Sequence, residues 1–150
     1  MTNPISQALQ DAVSQLERAF PGVDVESHGG RFGLEDLKRL AVKTPAIRLS
    51  LLAIPPGERQ KDGSIEVNVQ WAAFILTGDK KGRARHVEAL DLVGQLYEWL
   101  PYKSWAGCKN LDPSTLDARN LYGADVDTKT ACAIWAITWR QAITLKGANR

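Results

Sequence analysis

The stretch ACAIWAITWRQAITL, Ala131 to Leu145, determines the predicted fold. Read with a period of two, one set of side chains is mostly bulky and apolar: Ala133, Trp135, Ile137, Trp139, Gln141, Ile143 and Leu145. The alternate set is small at first and then polar: Cys132, Ile134, Ala136, Thr138, Arg140, Ala142 and Thr144. This alternation predicts a long β-strand with one face in a core. Both tryptophans are on that face, so each is expected to be largely buried.

Four further segments read as strands. IEVNVQWAAFILTG, residues 65–78, repeats the pattern of one apolar face and a second face that changes from polar to apolar. AIRLSLLAI, residues 46–54, predicts a half-buried strand with Arg48 and Ser50 on its exposed side. Shorter strands are predicted at residues 23–27 and 116–121.

Two amphipathic helices complete the predicted fold. Apolar residues spaced three and four apart predict a helix that begins after Asn3-Pro4 and ends at Pro21-Gly22. A second helix is predicted from about Arg83 to Leu100. The element order favours an α+β domain in which two main helices pack on one face of a mainly antiparallel sheet of four to five strands. This single domain is expected to span residues 1–150, with short flexible ends near 1–3 and 146–150.

Composition narrows the class of protein. The chain has 150 residues, with 19 basic and 17 acidic side chains and a net charge of +2, so no global field favours nucleic acid. No signal-peptide pattern and no membrane-length apolar run is present, which predicts a cytosolic protein with reduced thiols. A disulfide between Cys108 and Cys132 stays open at this stage.

The sequence contains no clear catalytic constellation. Neither histidine, His28 or His86, lies at metal-ligand spacing, and HGGRFG lacks the strand–loop–helix setting of a phosphate loop. His28 with Glu26 or Glu35 remains a weaker acid–base alternative to an exposed loop histidine. We therefore predict no catalytic residues, no metal, no cofactor and no enzymatic activity.

Two polar loops are predicted to project from the fold. Residues 55–64, PPGERQKDGS, are too many for a tight hairpin turn, and residues 79–86, DKKGRARH, form a basic loop. A run of exposed charged residues is usually only solvated, but the basic loop leaves open the alternative that the protein is a small DNA-binding module. The charged candidates for contact with partners are Glu58, Arg59, Lys61, Asp62, Lys80, Lys81, Arg83 and Arg85.

Several segments resemble a known family. They are KTPAIRLSLLAI, VNVQWAAFILTGDKKGRARHVEALDLVGQLYEWL and NLYGADVDTKTACAIWAITWRQAITL. Together they resemble the small protein of Mu-like phages and prophages that is encoded just before the tail sheath and tube genes, a family connected with the tail terminators of long-tailed phages. The resemblance covers nearly the whole chain and rests on strands and aromatic residues, such as WAITWRQ at Trp135 to Gln141, rather than on a catalytic signature.

The resemblance implies a structural virion protein. Terminators form rings, usually homohexamers, that cap the tail tube, stop its polymerisation and offer a surface for the head connector. The implied location is the head-proximal end of the virion tail, after assembly in the host bacterial cytoplasm. The implied partners are further copies of the chain, the tube or sheath protein and the head connector, with DNA only passing through the lumen and no membrane. A head–tail connector or head-completion adaptor is the neighbouring alternative.

In such a ring the second face of the sheet lines a lumen or meets a neighbouring subunit. The residues assigned to that face are Arg48, Asn68, Gln70, Thr138 and Arg140. The two projecting loops are then expected to reach the tube or sheath.

Overall fold

The structure, a computed structural model, describes residues 3–32, 43–78, 84–121 and 132–147. Its elements in chain order are α1 (Pro4–Ala19), β1 (Asp24–Ser27), β2 (Ala46–Ala53), β3 (Glu58–Arg59), β4 (Ile65–Gly78), α2 (Arg85–Trp99), a 3-10 turn (Pro113–Thr115), β5 (Asp117–Asn120) and β6 (Cys132–Leu145). The flexible ends predicted near 1–3 and 146–150 fall largely outside the described residues, although Asn3 is ordered as the cap of α1.

The strands form one six-stranded sheet in the order β1-β2-β4-β6-β5. The short β3 pairs with the first residues of β4, beyond the point where β2 ends. Only β1 and β2 are parallel; the other pairs are antiparallel. β4 and β6 pair over their full length, from Ile65 opposite Leu145 to Gly78 opposite Cys132. The predicted α+β fold is confirmed. The extra strand is β3, which is two residues long and too short to leave a periodic signal.

Both helices pack on the face formed by the odd-numbered side chains of β4 and β6, which we call the core face. Ala8, Ala12 and Leu16 of α1 are buried there, and so are the three apolar residues that α2 contributes, Ala89, Leu92 and Leu96. The Asn3 side chain accepts a hydrogen bond from the Ile5 N–H, and Pro4 occupies the first turn. This cap satisfies a donor that the helix itself leaves unpaired.

A column of aromatic rings fills the centre of the core face. Trp71 stacks on Trp139, and Trp105 lies 6.2 Å from Trp71 and 6.1 Å from Trp99 between ring centroids. Phe20 closes the column, edge-on to Trp99. The column joins both helices to the two central strands, so it holds the two layers together.

Gln141 is the polar centre of this apolar face. Its side chain is 2% exposed, and its Oε1 accepts hydrogen bonds from Nε1 of Trp105 at 2.8 Å and of Trp139 at 3.0 Å. Its Nε2 donates to the main-chain oxygens of Lys103 at 3.0 Å and Lys109 at 2.7 Å. The amide therefore fixes the segment between α2 and β5 against the sheet, with every polar group satisfied.

The second face carries the even-numbered side chains of β2, β4 and β6, and one half of it is also buried. Phe74 packs against Phe32, which belongs to the segment that follows β1. The Ser50 hydroxyl lies 2.8 Å from the His28 oxygen and accepts from the Gly30 N–H at 3.0 Å. The predicted exposure of Arg48 and Ser50 is therefore wrong; they are 5% and 0% exposed. The segment after β1 returns across the sheet and bonds to Ser50, and β1 itself bonds to the Arg48 guanidinium.

One further expectation is corrected by the structure, and the open question of a disulfide is answered. Trp135 is only partly buried, because it lies towards the end of the sheet, opposite Asn120 of the short β5. Cys108 pairs with Ile143, eleven residues along β6 from Cys132. That separation is about 36 Å along a strand, so the two thiols are far too distant for a disulfide.

Candidate assembly surface

The open half of the second face lies where β4 and β6 continue past the end of β2. β2 stops opposite Gln70, and beyond that point β4 and β6 form a long ribbon. Asn68 and Arg140 are exposed on this ribbon, while Gln70 and Thr138 are partly buried. Gln70 and Arg140 are direct cross-strand partners, so the structure brings these four predicted residues together on one surface.

Two open hollows include residues of this polar surface. One, of about 340 Å³, is lined by Gln70 and Thr138 together with Phe74, Asp117 and Arg119. The other, of about 410 Å³, is lined by Pro56, Glu58, Glu66, Asn68 and Ala142. The four residues of the surface present two amides, a hydroxyl and a guanidinium, which bond water well but bring no nucleophile next to a base.

Arg48, the fifth residue assigned to this face, is separated from the open surface. Its guanidinium donates to the Asp24 main-chain oxygen at 2.8 Å and to the Asp24 carboxylate at 2.9 Å, and it lies 3.7 Å from the Glu26 carboxylate. These bonds offset the energetic cost of burying the guanidinium charge within the subunit. The pairing depends on the register of the parallel β1–β2 ladder, which the sequence does not reveal.

The loop of residues 55–64 is an ordered hairpin rather than an extended connection. The Gln60 N–H donates to the Ser64 oxygen at 2.8 Å, and Gly63 takes a φ of +87°, which only glycine adopts readily. The Asp62 carboxylate accepts from both the N–H and the hydroxyl of Ser64, and these bonds hold the pKa of Asp62 below its usual value. The prediction that residues 55–64 are too many for a tight hairpin turn is therefore wrong, because the turn occupies only part of this segment. It presents Glu58, Arg59, Lys61 and Asp62 to solvent.

The start of α2 lies at the opposite end of the ribbon from the hairpin. Lys80, Lys81 and Arg83 fall outside the described residues, and Arg85 begins α2, partly buried. The Thr77 hydroxyl donates to the Arg85 main-chain oxygen at 2.7 Å, which attaches this helix start to the end of β4. The hairpin joins the other end of β4, so it is separated from this helix start by about 43 Å, the length of a fourteen-residue strand.

The sequence analysis assigned no assembly role to the charged residues of the two edge strands. Glu26 of β1 and the Asp117–Arg119 pair of β5 are exposed, with the last two 2.9 Å apart. Each strand is four residues long, so alternation over so short a stretch gave no clear signal. The available clue was that charged residues alternate within each of these two short predicted strands, which is common in strands at the edge of a sheet.

Within the described ranges, no group of three or more histidine, cysteine, aspartate or glutamate side chains is arranged to hold a metal ion. No helix in that part of the chain is long and apolar enough to cross a membrane. The fold and this surface define the class of molecule: a two-layer α+β domain with an open polar sheet face and a charged hairpin at one end of its longest strands. No protein-family model matches the chain, and no curated protein matches it either.

Proposed function

We propose that this protein is a ring-forming tail terminator of a long-tailed phage or prophage. The observation that carries the proposal is the β4–β6 ribbon, which has the charged hairpin of residues 55–64 at one end and the start of α2, with Arg85 and His86, at the other, and a polar sheet face between them. A terminator needs two docking ends, one for the last tube ring and one for the head connector. The sequence resemblance to the Mu-like tail proteins supports the same function.

The length of the β4–β6 ribbon sets the height of the proposed ring wall. If the strands run roughly along the ring axis, fourteen residues give a wall about 43 Å high. The hairpin with Glu58 and Asp62 then lies at one rim, and the start of α2 at the other. The helices lie on the outside of the wall because the core face points away from the lumen.

The open face suits the wall of a DNA passage. Asn68, Gln70 and Thr138 bond water and carry no charge, so they do not hold phosphate groups in place. Arg140 is the one cation among the four assigned residues, and Arg119, farther along the same face, is paired with Asp117 at 2.9 Å, so each subunit adds little salt-sensitive affinity for phosphate. DNA therefore moves past the face without being retained by it.

The decisive experiment is electron microscopy of particles made without this protein. We expect tails of irregular or excess length, or tails that fail to join filled heads, and a return to normal when the protein is supplied. Tails of normal length, correctly attached to heads, would overturn the proposal. Normal-length tails lying free beside full heads would instead assign the protein as a head–tail joining adaptor.

The native mass of the purified chain is a faster test. A closed ring of identical subunits is the expected result, since a heterologous contact that closes by rotation gives a ring. A monomer that binds DNA at physiological salt would replace the proposal with the DNA-binding module.

A further inference from the structure

The sheet ends in two edge strands of equal length. β1 and β5 are each four residues long and stand first and last in the strand order. Following the pairings across the sheet, β1 and β2 run one way, β4 the opposite way, β6 again as β2, and β5 again as β4. β1 and β5 are therefore antiparallel to each other. Two copies in the same orientation can join these edges as an ordinary antiparallel pair.

A single row of cross-strand partners connects the two edges. It runs from Glu26 through Arg48, Phe74 and Ala136 to Arg119. All five side chains lie on the second face because partners across a ladder share a face. The row thus begins with a carboxylate and ends with a guanidinium. Both are exposed, Glu26 at 65% and Arg119 at 78% of the side chain.

In a ring with cyclic symmetry, the two ends of this row meet at every junction between subunits. Copies in a ring are related by rotation alone, so a row perpendicular to the axis meets the same row of the next copy at the same height. The acidic end of one copy then meets the basic end of its neighbour. With Glu26 opposite Arg119, antiparallel counting places Ser27 opposite Ala118.

The main chain fits this register. The N–H groups of Asp24 and His28 point towards β2, where they donate to the oxygens of Pro45 and Leu49, so the main-chain groups of Ser27 point outward. The Leu121 N–H donates to the Ile134 oxygen of β6, so Ala118, three residues earlier, also points its main-chain groups outward. Ser27 and Ala118 can therefore exchange hydrogen bonds across the junction.

We propose that β1 of one copy pairs with β5 of the next, with Glu26 against Arg119, so that one sheet runs unbroken around the ring. The inference rests on the proposed ring and names the strands that close it. The ion pairs inside one chain leave both groups available. Arg48 is closer to Asp24, at 2.9 Å, than to Glu26, at 3.7 Å, and the solvent-exposed Arg119–Asp117 pair is weak.

Charge reversal tests the pairing. Glu26→Arg alone and Arg119→Glu alone each place like charges at every junction. We expect each to raise the concentration needed for ring formation by about tenfold or more. The matched control is Glu17→Arg on the exposed surface of α1, which should assemble as the wild type does. Circular dichroism checks that each variant is folded.

Mixing the two variants gives the sharper result. A Glu26→Arg chain and an Arg119→Glu chain complement each other at both junctions, so an equimolar mixture should form rings of alternating subunits. The double variant, which carries both changes in one chain, should assemble on its own. If neither mixture nor double variant recovers rings although the chains are folded, the inference is overturned.

A cysteine pair tests the register without changing charge. In a chain carrying Ser27→Cys and Ala118→Cys, the two edges are four strand spacings, about 19 Å, apart, so one copy cannot close the bond internally. Mild oxidation of the rings should give a ladder of covalent multimers, while either single variant gives no product beyond a dimer. Absence of the ladder in intact rings would overturn the pairing.

The outcomes separate the inference from the function on which it rests. If the wild type and both reversal variants form rings equally well, the sheet pairing is wrong and the terminator proposal stands. If the wild type forms no ring even in the presence of tail tubes, both are wrong.

Discussion

Trp71 and Trp139 are direct partners across β4 and β6, and their rings stack with centroids 6.0 Å apart and planes within 9° of parallel. Both side chains are almost completely buried. The stack lies where the two longest strands meet the helices, so it connects sheet pairing with core packing. Trp71 has a buried Nε1 with no hydrogen-bond acceptor among the described residues, whereas Trp139 donates to Gln141.

The two tryptophans of β6 should differ in their contribution to stability. Trp139→Ala removes a fully buried ring and should lower the free energy of unfolding by about 3–5 kcal/mol. Trp135→Ala removes a partly buried ring and should cost clearly less. Urea denaturation of both variants measures the difference. Equal losses would mean that Trp135 is as deeply packed as Trp139.

Gln141 should be required for the position of the segment that follows α2. Gln141→Leu leaves two indole N–H groups and two carbonyl oxygens without their partner, which should cost about 3 kcal/mol. Hydrogen exchange should also rise around Lys103 and Lys109. The control is Gln70→Leu on the open face, which should change stability by less than about 0.5 kcal/mol. A Gln141→Leu variant as stable as this control would contradict the role assigned to the buried amide.

Arg48 and Arg140, both on the second face, should behave differently. Arg48→Met removes a buried guanidinium from Asp24 and should cost about 2 kcal/mol, less than a fully buried pair because the Asp24 side chain is 41% exposed. Arg140→Met changes an exposed residue and should leave stability within about 0.5 kcal/mol of the wild type. Thermal unfolding of the two variants checks this. A larger loss for Arg140→Met would reverse the assignment of buried and open halves.

Cys108 should make stability fall at alkaline pH. Burial, helped by the Asp11 carboxylate, raises the pKa of this thiol from 9.0 to about 12. The folded chain therefore holds the thiol proton more tightly than the unfolded chain, and this contribution is complete below pH 9 and is lost as the pH rises towards 12. Between those values Cys108→Ala should show a shallower decline than the wild type, by at most about 1.4 kcal/mol per pH unit. Identical pH profiles of urea unfolding would show that the thiol is not protected.

The hairpin of residues 55–64 should matter for assembly and not for folding. Alanine at Glu58, Arg59, Lys61 and Asp62 changes exposed side chains only, so the unfolding midpoint should stay close to the wild-type value. Binding of purified rings to isolated tail tubes should be lost. Alanine at Glu17 and Arg18, exposed on α1, is the matched control and should retain binding. Undiminished binding by the hairpin variant would move the tube contact to another surface.

The bounds of β4 were predictable because alternation over fourteen residues is a strong signal bounded by clear turn residues. The same parity placed Asn68, Gln70, Thr138 and Arg140 on one face. Whether that face is open or covered depends on packing between distant segments, and alternation carries no such information. Phe32 covers Phe74 from forty-two residues away, and Arg48 is bonded to Asp24 of β1, so neither burial could be read from the strand alone.

Edge strands and buried amides were predictable only in part. β5 was located to within a residue at either end, but its pairing with β6 and the row from Glu26 to Arg119 follow from ladder register, which no local pattern specifies. Gln141 was visible as the polar member of an apolar set. Three of its four partners come from the segment between α2 and β5 and the fourth from β6 itself, so only the folded chain reveals its role.

The aromatic column has an optical consequence. Trp139, Trp71, Trp105 and Trp99 form a continuous series with successive centroids about 6 Å apart. At that spacing the electronic transitions of neighbouring indoles couple, and excitation energy passes readily from ring to ring. The folded chain should therefore show a strong exciton signal in circular dichroism and depolarised tryptophan emission, both of which vanish when the column separates. Absorbed light then reports the integrity of the two-layer core without any added label.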